Sequence, residues 1–178
     1  MKTKKIFLLI GCIGLQLNLY SQDIVTARTQ GEGTTVTISG IVTNGNELGS
    51  PIRYIEDATA ALAIYDPDIM GSVNRGDSIT VTGVLIDYNG LLEIQPVDLL
   101  TNHGSGYSIT PQLITANQIG EDTESELVSI ENVVFENAGQ VFSVGTHNFE
   151  SGSQSGIIYI KAGSSLENKL IPSCPVRI

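Results

Sequence analysis

The sequence predicts an all-β protein built from small five-stranded barrels, and three observations support this. After residue 21, no segment keeps a helical apolar period for more than two or three turns. Val, Ile and Thr dominate the ordered runs, and the chain holds 19 glycines and no tryptophan. Short strand-like runs are separated by turn dipeptides such as Asn44-Gly45 and Asn89-Gly90.

Residues 1–21 have the pattern of a secretory signal peptide. A basic start with Lys2, Lys4 and Lys5 precedes an apolar run that is too short to span a bilayer. Cleavage after Ser21 leaves six Lys and Arg against nineteen Asp and Glu, a net charge near −13. We therefore expect an extracellular or cell-surface protein. The acidity also disfavours a polyanion as the main partner, because phosphate binding depends on Lys and Arg.

Lipid attachment at Cys12 is an alternative to soluble export. Leu9-Ile10-Gly11-Cys12 resembles a lipoprotein box, but the apolar stretch before the cysteine, from Ile6 to Gly11, is short even for a signal. Cleavage leaves Cys174 as the remaining cysteine, so an internal disulfide is excluded. We expect Cys174 to be a small buried apolar residue, which is the usual setting of a free cysteine.

Residues 22–101 are predicted to form one OB-like Greek-key barrel. A short helical turn over Asp23–Thr29 comes first, and an irregular connector, Asp66–Asp77, separates the third and fourth strands. Gly40 lies in the middle of the first strand, where a closed barrel needs a bend. A β-sandwich is the main competing architecture. The five predicted strands are Thr34–Val42, Ile52–Glu56, Ala60–Tyr65, Ser78–Ile86 and Leu91–Val97.

A polar linker over residues 102–110 leads to a second unit, residues 111–178, in which the pattern begins again. Four segments repeat in the same order, so the sequence predicts an internal repeat. The last of these repeated segments aligns the chain's final residues with the start of the fourth strand of the first unit. We therefore expect the second barrel to be incomplete or the chain to be a fragment. The paired segments are 24–28 with 113–117, 36–42 with 128–134, 63–65 with 158–160, and 77–81 with 174–178.

Three segments of the first unit resemble the OB-fold modules of secreted multi-domain bacterial proteins: GTTVTISGIVTN, PIRYIEDATAALAIYD and VNRGDSITVTGVLIDYNGLLEIQPV. Such modules occur beside extracellular nuclease, lamin-tail or surface-sorting domains. The resemblance covers Ile24 to Leu100 well and Pro111 to Ile178 more weakly. It implies an accessory role, with neighbouring domains of a longer chain or an extracellular ligand as partners, and it does not transfer the activity of a neighbouring domain.

The candidate ligand face comprises aromatic and arginine side chains on the second and third strands and in the adjoining loops. OB barrels use this face for stacking, where an aromatic ring supports a base and an arginine contacts phosphate. The alternative is that the tyrosines are half-buried barrel residues and that the arginines pair with Glu56 or Asp77. The candidates are Arg53, Tyr54, Tyr65, Arg75 and Tyr88.

The sequence predicts no catalytic, cofactor-binding or metal-binding residues. Asp57, Asp66 and Asp68 do not follow a calcium-loop spacing, and the two histidines have no zinc-like partners. Gly152–Gly156 places Gln154 where a nucleophile elbow needs serine, so we interpret it as a flexible loop. Arg75-Gly76-Asp77 is interpreted as the turn before the fourth strand. We therefore expect a non-catalytic binding or spacer module, with a nucleic-acid-binding accessory of a nuclease as the alternative.

Overall fold

The computed structural model describes residues 20–49, 51–68 and 70–178. Residues 1–19 of the predicted signal peptide, including Cys12, lie outside the described residues. Within those ranges, none of the helices has the length and apolar character needed to cross a bilayer. The elements are α1 (Ile24–Arg28), β1 (Thr35–Val42), β2 (Ile52–Glu56), β3 (Ala61–Tyr65), β4 (Ser78–Tyr88), β5 (Leu91–Gly104), β6 (Gln112–Leu113), β7 (Val128–Ser129), β8 (Val133–Phe135), β9 (Gly145–Ser151) and β10 (Gln154–Ile160), with 3-10 turns at Met70–Ser72, Ala116–Gln118 and Glu121–Thr123.

The first five strands close into a barrel in the order β1-β2-β3-β5-β4. Strand β1 pairs antiparallel with both β2 and β4, and β3 pairs in parallel with β5. Closure excludes the β-sandwich and confirms the all-β prediction with an OB-like barrel. The interior is filled by alternate residues of the strands together with Ile24 and Ala27 of α1.

Two glycines permit a close approach between strands of the barrel. An added Cβ at Gly40 would lie 2.5 Å from the Glu56 carbonyl oxygen, and one at Gly83 would lie 2.4 Å from the Pro96 carbonyl oxygen. Both distances are below any normal contact, so a side chain at either position collides with the backbone of the next strand. The bend expected at Gly40 stays a prediction, and Gly83 is a second tightly packed glycine that the sequence analysis did not identify.

The β4–β5 hairpin is longer than predicted. Tyr88 pairs with Leu91 across a two-residue turn in which Asn89 and Gly90 have φ angles of 55° and 88°. At its far end, Ser78 pairs with Gly104, so β5 extends into the predicted linker. The polar composition of residues 101–104 concealed this extension, because these residues lie on an exposed part of the ladder.

Asp57 fixes helix α1 to the β2–β3 turn. Its Oδ2 accepts from the Ile24 backbone N–H at 2.8 Å, and its Oδ1 accepts from the Thr59 and Ala60 N–H groups at 2.7 and 3.1 Å. Burial by itself would raise the pKa of Asp57, but these hydrogen bonds and one from the Thr59 hydroxyl outweigh it and hold the pKa below its ordinary value. The carboxylate therefore stabilises the fold above its unfolded-state pKa and loses that effect as the pH falls through the folded-state pKa.

Replacing the Asp57 carboxylate tests whether its ionisation makes the stability depend on pH. We expect Asp57→Asn to lower the free energy of unfolding at neutral pH by about 1–2 kcal/mol, because one acceptor oxygen becomes a donor facing an N–H group. The difference from the natural protein should shrink as the pH falls through the carboxyl titration range, measured by urea denaturation. Asp98→Asn, on an exposed part of β5, is the control and should change little at any pH. A pH-independent difference for Asp57→Asn would contradict the argument.

Residues 111–178 form a smaller unit with its own apolar cluster. Strands β8, β9 and β10 make a three-stranded antiparallel sheet, while β6 pairs in parallel with β7. Within the described residues these strands do not close into a barrel. Cys174 is exposed, so the expectation of a buried cysteine was wrong: the segment that carries it runs along the edge of the unit. The buried cluster comprises Ile114, Ala116, Ile130, Val133, Phe135, Phe142, Phe149, Ile160 and Ile171.

One pairing in this unit has a counterpart in the first barrel. Ile38 of β1 lies opposite Val81 of β4. The repeat alignment matches these residues with Ile130 and Ile178, which exchange backbone hydrogen bonds of 2.8 and 3.0 Å. The pairing is the one that a second OB-like unit requires, but the assignment of residues 111–178 as an incomplete barrel stays a prediction.

The two units contact each other through backbone and charged groups. The Arg28 guanidinium lies 2.8 Å from Glu121 and 2.9 Å from Glu124. The Ser165 N–H donates to the Glu47 carbonyl at 2.7 Å. Gly49 packs so closely on Gly163 that an added Cβ would lie 2.5 Å from the Gly163 carbonyl carbon. These contacts place residues of the second unit beside the outer surface of the barrel.

Candidate functional site

The outer surface of β2, β3 and β5 carries a pocket of about 520 Å3. Its walls are alternate residues of these strands, and the tip of the β4–β5 hairpin closes one side. This volume is in the range of small-molecule sites. The lining residues are Ile52, Tyr54, Tyr65, Tyr88, Leu91, Glu93, Gln95 and Lys161.

Three of the predicted ligand-face residues, Tyr54, Tyr65 and Tyr88, meet in this pocket. They come from three different strands. Strand alternation puts Ile52 and Tyr54 on the same face of β2, and the antiparallel register places Tyr65 of β3 directly opposite Ile52. Tyr88 is 61% exposed at the hairpin tip, whereas Tyr54 and Tyr65 are half-buried. Aromatic side chains from three strands therefore line one solvent-accessible pocket.

Arg53 does not lie on this face, which corrects the prediction. It is 1% exposed and points to the same side of β2 as the core residue Ile55. Its Nε donates to the Val73 carbonyl at 2.8 Å, its Nη1 to the Ile52 carbonyl at 3.0 Å and its Nη2 to Asn46 Oδ1 at 2.7 Å. Arg53 thus braces the connector between β3 and β4 and is not available to a ligand. The alternative pairing with Glu56 or Asp77 is also absent.

Arg75 lines a neighbouring groove of about 450 Å3, which shares Tyr54 and Leu91 with the pocket. Its Nη1 lies 3.8 Å from Glu47 Oε1, and its side chain is 50% exposed. This is a weak surface ion pair, and it differs from the predicted partners. Arg75 is therefore near the three tyrosines and accessible, but it is not in the same pocket.

Glu93 is the residue of the pocket that the sequence analysis missed. It lies on β5 beside Ala63 of β3, which in turn lies opposite Tyr54 of β2, so these three residues form one row across the sheet. Glu93 is only 3% exposed although it lines the pocket. Within the described residues, no group donates a hydrogen bond to its carboxylate. Burial raises the pKa of Glu93, and the nearby charge of Lys161 opposes that shift.

The electrostatic surroundings of the pocket are negative. Burial raises the pKa of Tyr54, and the charges of Glu93 and Glu124 raise it further. The pKa of Glu126, in the neighbouring groove, is raised by burial and by Glu56, with Arg28 opposing. Glu93 and Glu124 thus act on Tyr54 of the pocket, where Lys161 supplies a positive charge at the exposed edge.

Other features named in the sequence analysis have structural roles. Asp77 is 1% exposed and accepts hydrogen bonds from Asn74 N–H, Asn102 and Ser105, so Arg75-Gly76-Asp77 is the ordered turn before β4. Gly152–Gly156 is not a flexible loop, because Gln154 begins β10 in the β9–β10 hairpin. In the described ranges, no group of three or more His, Cys, Asp or Glu side chains is arranged to hold a metal ion.

Comparison with known proteins gives a limited result. No family model matches the chain. A stretch of 107 residues, 53% of this chain, is 30% identical to Endonuclease YhcR of Bacillus subtilis (strain 168) and corresponds to only 9% of that protein's length. Among solved structures, the hypothetical protein ygiW from E. coli matches 47% of this chain and 89% of its own chain, with 16% identity and a TM-score of 0.40. The chain is therefore similar to a small part of an endonuclease.

Proposed function

We propose that this chain is a non-catalytic binding module of an exported protein and that the pocket lined by Tyr54, Tyr65 and Tyr88 is its ligand site. The convergence of three tyrosines from three strands carries this proposal. Aromatic side chains offer large contact area at a small cost in conformational entropy, which is why they are enriched at binding sites. The rest of the barrel holds these side chains on rigid strands, which suits recognition.

A second candidate is a nucleic-acid-binding accessory role, and the similarity to Endonuclease YhcR favours it. Arg75 in the adjoining groove could contact phosphate while the tyrosines stack on bases. The acidic side chains around the pocket and the net charge of −10 oppose it. We therefore keep it as the alternative.

The tyrosines provide the test of the binding site. The natural protein would be screened by ligand-observed NMR against oligosaccharides, short peptides and oligothymidylate at low salt. We expect at least one class to bind, and Tyr65→Ala combined with Tyr88→Ala to weaken that binding at least about tenfold, because each stacking contact contributes roughly 1 kcal/mol or more. Circular dichroism of the double variant verifies that the barrel remains folded.

Tyr107→Ala is the matched control, because Tyr107 is 50% exposed and lies outside the pocket. It should bind as the natural protein does. A ligand whose affinity is unchanged in the double variant would place the site elsewhere, and failure of every class to bind would contradict a binding role. Oligothymidylate binding that falls steeply with added salt would favour the alternative.

A further inference from the structure

Glu93 is an unusual residue for the wall of an open pocket. Its side chain is 97% removed from solvent by its neighbours, since its exposure is 3%. A buried carboxylate is normally satisfied by donors, because an unpaired charge in a low-dielectric site is unfavourable. Within the described part of the chain, no hydrogen-bond donor reaches it. Among the described residues the carboxylate thus has no donor, and it lines a pocket that a ligand can enter.

The fold itself keeps this carboxylate in the pocket. Strand alternation assigns Leu91, Glu93 and Gln95 to the outer face of β5, and all three line the pocket. The next residue, Ile94, points the other way and is fully buried in the barrel core. The strand register places Glu93 in one row with Ala63 and Tyr54. A ligand can therefore meet the carboxylate without a change in the backbone.

The tyrosines and the neighbouring charges narrow the chemistry of that ligand. The faces of aromatic rings attract cations, and they do so more strongly where water is excluded. Glu124 adds a negative charge that acts on Tyr54. An anionic group would be repelled by Glu93 at close range, while Lys161 at the exposed edge would attract it. A neutral hydroxyl can donate a hydrogen bond to the carboxylate but carries no charge to pair with it.

We propose that the pocket binds a compact cationic group, an alkylammonium or a guanidinium of the kind that lysine and arginine side chains carry, with Glu93 as its counter-ion and the tyrosine rings as its walls. This inference rests on the proposed function and specifies the ligand of the same site. The pocket volume of about 520 Å3 accommodates such a side chain together with part of the backbone that carries it.

Lys161 provides an internal check. Its side chain is exposed at the edge of the pocket, and its charge acts on Glu93. A bound cation would be repelled by Lys161, so removing that charge should strengthen binding of a cation. The same change would weaken the binding of an anion. Lys161→Met therefore changes the affinity for cations and for anions in opposite directions. This makes it more informative than a variant that only lowers the affinity.

The experiment is an NMR titration with short blocked glycine peptides that carry one central residue: arginine, lysine, methionine or glutamate. We expect the arginine and lysine peptides to shift the backbone amide signals of Tyr65 and Glu93, and the other two peptides to leave them unchanged. Glu93→Gln should lower the affinity for the cationic peptides by about tenfold or more, which is the usual effect of losing a charge-assisted hydrogen bond. Lys161→Met should raise that affinity about twofold.

Glu126→Gln is the charge-matched control, since it removes one negative charge from the adjoining groove and leaves the pocket intact. It should change the affinity less than about twofold, because Glu126 does not line the pocket and a charge outside it is partly screened. Equal effects of Glu93→Gln and Glu126→Gln would overturn the proposal and indicate general electrostatic attraction.

Failure of this proposal is distinguishable from failure of the binding role. If an oligosaccharide or oligothymidylate binds, is lost in the Tyr65 and Tyr88 variants and is unaffected by Glu93→Gln, the site is real and its ligand is not a cation. If the cationic peptides bind but Lys161→Met lowers their affinity, the bound group is not a cation paired with Glu93 beside Lys161, and the proposal is overturned. If no probe binds, both proposals are overturned.

Discussion

Replacing Gly83 by alanine is expected to destabilise the barrel by about 3 kcal/mol or more, because the added methyl group collides with backbone that cannot move independently. An ideal Cβ at this position lies 2.4 Å from the Pro96 carbonyl oxygen and 2.5 Å from Ile94 Cγ2. Gly83 also lies between two register shifts of the β4–β5 ladder. Relief would require β5 to move away from β4, which opens the barrel.

Urea denaturation followed by circular dichroism measures this effect. Gly71→Ala is the control, since no atom lies within 4 Å of the methyl group that it would add. We expect that variant to unfold at nearly the same urea concentration as the natural protein. A loss below about 1 kcal/mol for Gly83→Ala would mean that the barrel can absorb a side chain at this bend, contrary to the close contacts described above.

Replacing Arg53 by alanine is the second change with a large expected effect. The guanidinium donates to the Val73 carbonyl in the β3–β4 connector, to the Ile52 carbonyl and to Asn46 Oδ1. The Ile52 carbonyl also accepts from the Asn44 side chain, so the variant deprives the Val73 carbonyl and Asn46 Oδ1 of their donor and opens a cavity. We expect a loss of about 3–5 kcal/mol. The effect should also appear as faster amide exchange around Val73, because Arg53 holds that part of the β3–β4 connector.

Arg75→Ala separates this structural role from a loss of positive charge. Arg75 is half-exposed and its ion pair with Glu47 spans 3.8 Å, so its removal should cost less than about 0.5 kcal/mol. Both variants would be compared by urea denaturation at the same salt concentration. Similar losses for the two arginines would contradict the assignment of Arg53 as an internal brace.

The contrast between Arg53 and Tyr54 shows where sequence reasoning succeeded and where it could not. The strand Ile52–Glu56 is bounded as the sequence predicted, and its Tyr54 lines the outer pocket. Two adjacent residues of a strand point to opposite faces, so Arg53 and Tyr54 could not both lie there. A charged side chain is usually exposed, and that preference outweighed the alternation in the sequence analysis.

Glu93 was missed for a related reason. In the run Leu91–Val97, the pattern predicts a strand with one acidic residue, and an acidic residue in such a place indicates solvent exposure. It shares the pocket with Tyr54 on another strand and with Lys161 in the second unit, which the local pattern does not contain. The strands of the barrel were predictable because each has its own turn signals, whereas the choice between a barrel and a β-sandwich needed the pairing of β1 with β4. The depth of one side chain depends on contacts between distant segments.

The contact of Gly49 with Gly163 has a consequence for how this module can be inherited. It brings Lys161 to a pocket whose other walls all belong to residues 52–95. A recombination event that moved residues 22–101 into another gene would carry the tyrosines and Glu93 and would leave the lysine behind. The lining of the pocket would then contain Glu93 without the positive charge that acts on it. The charge of this pocket is thus set by two separate stretches of the sequence.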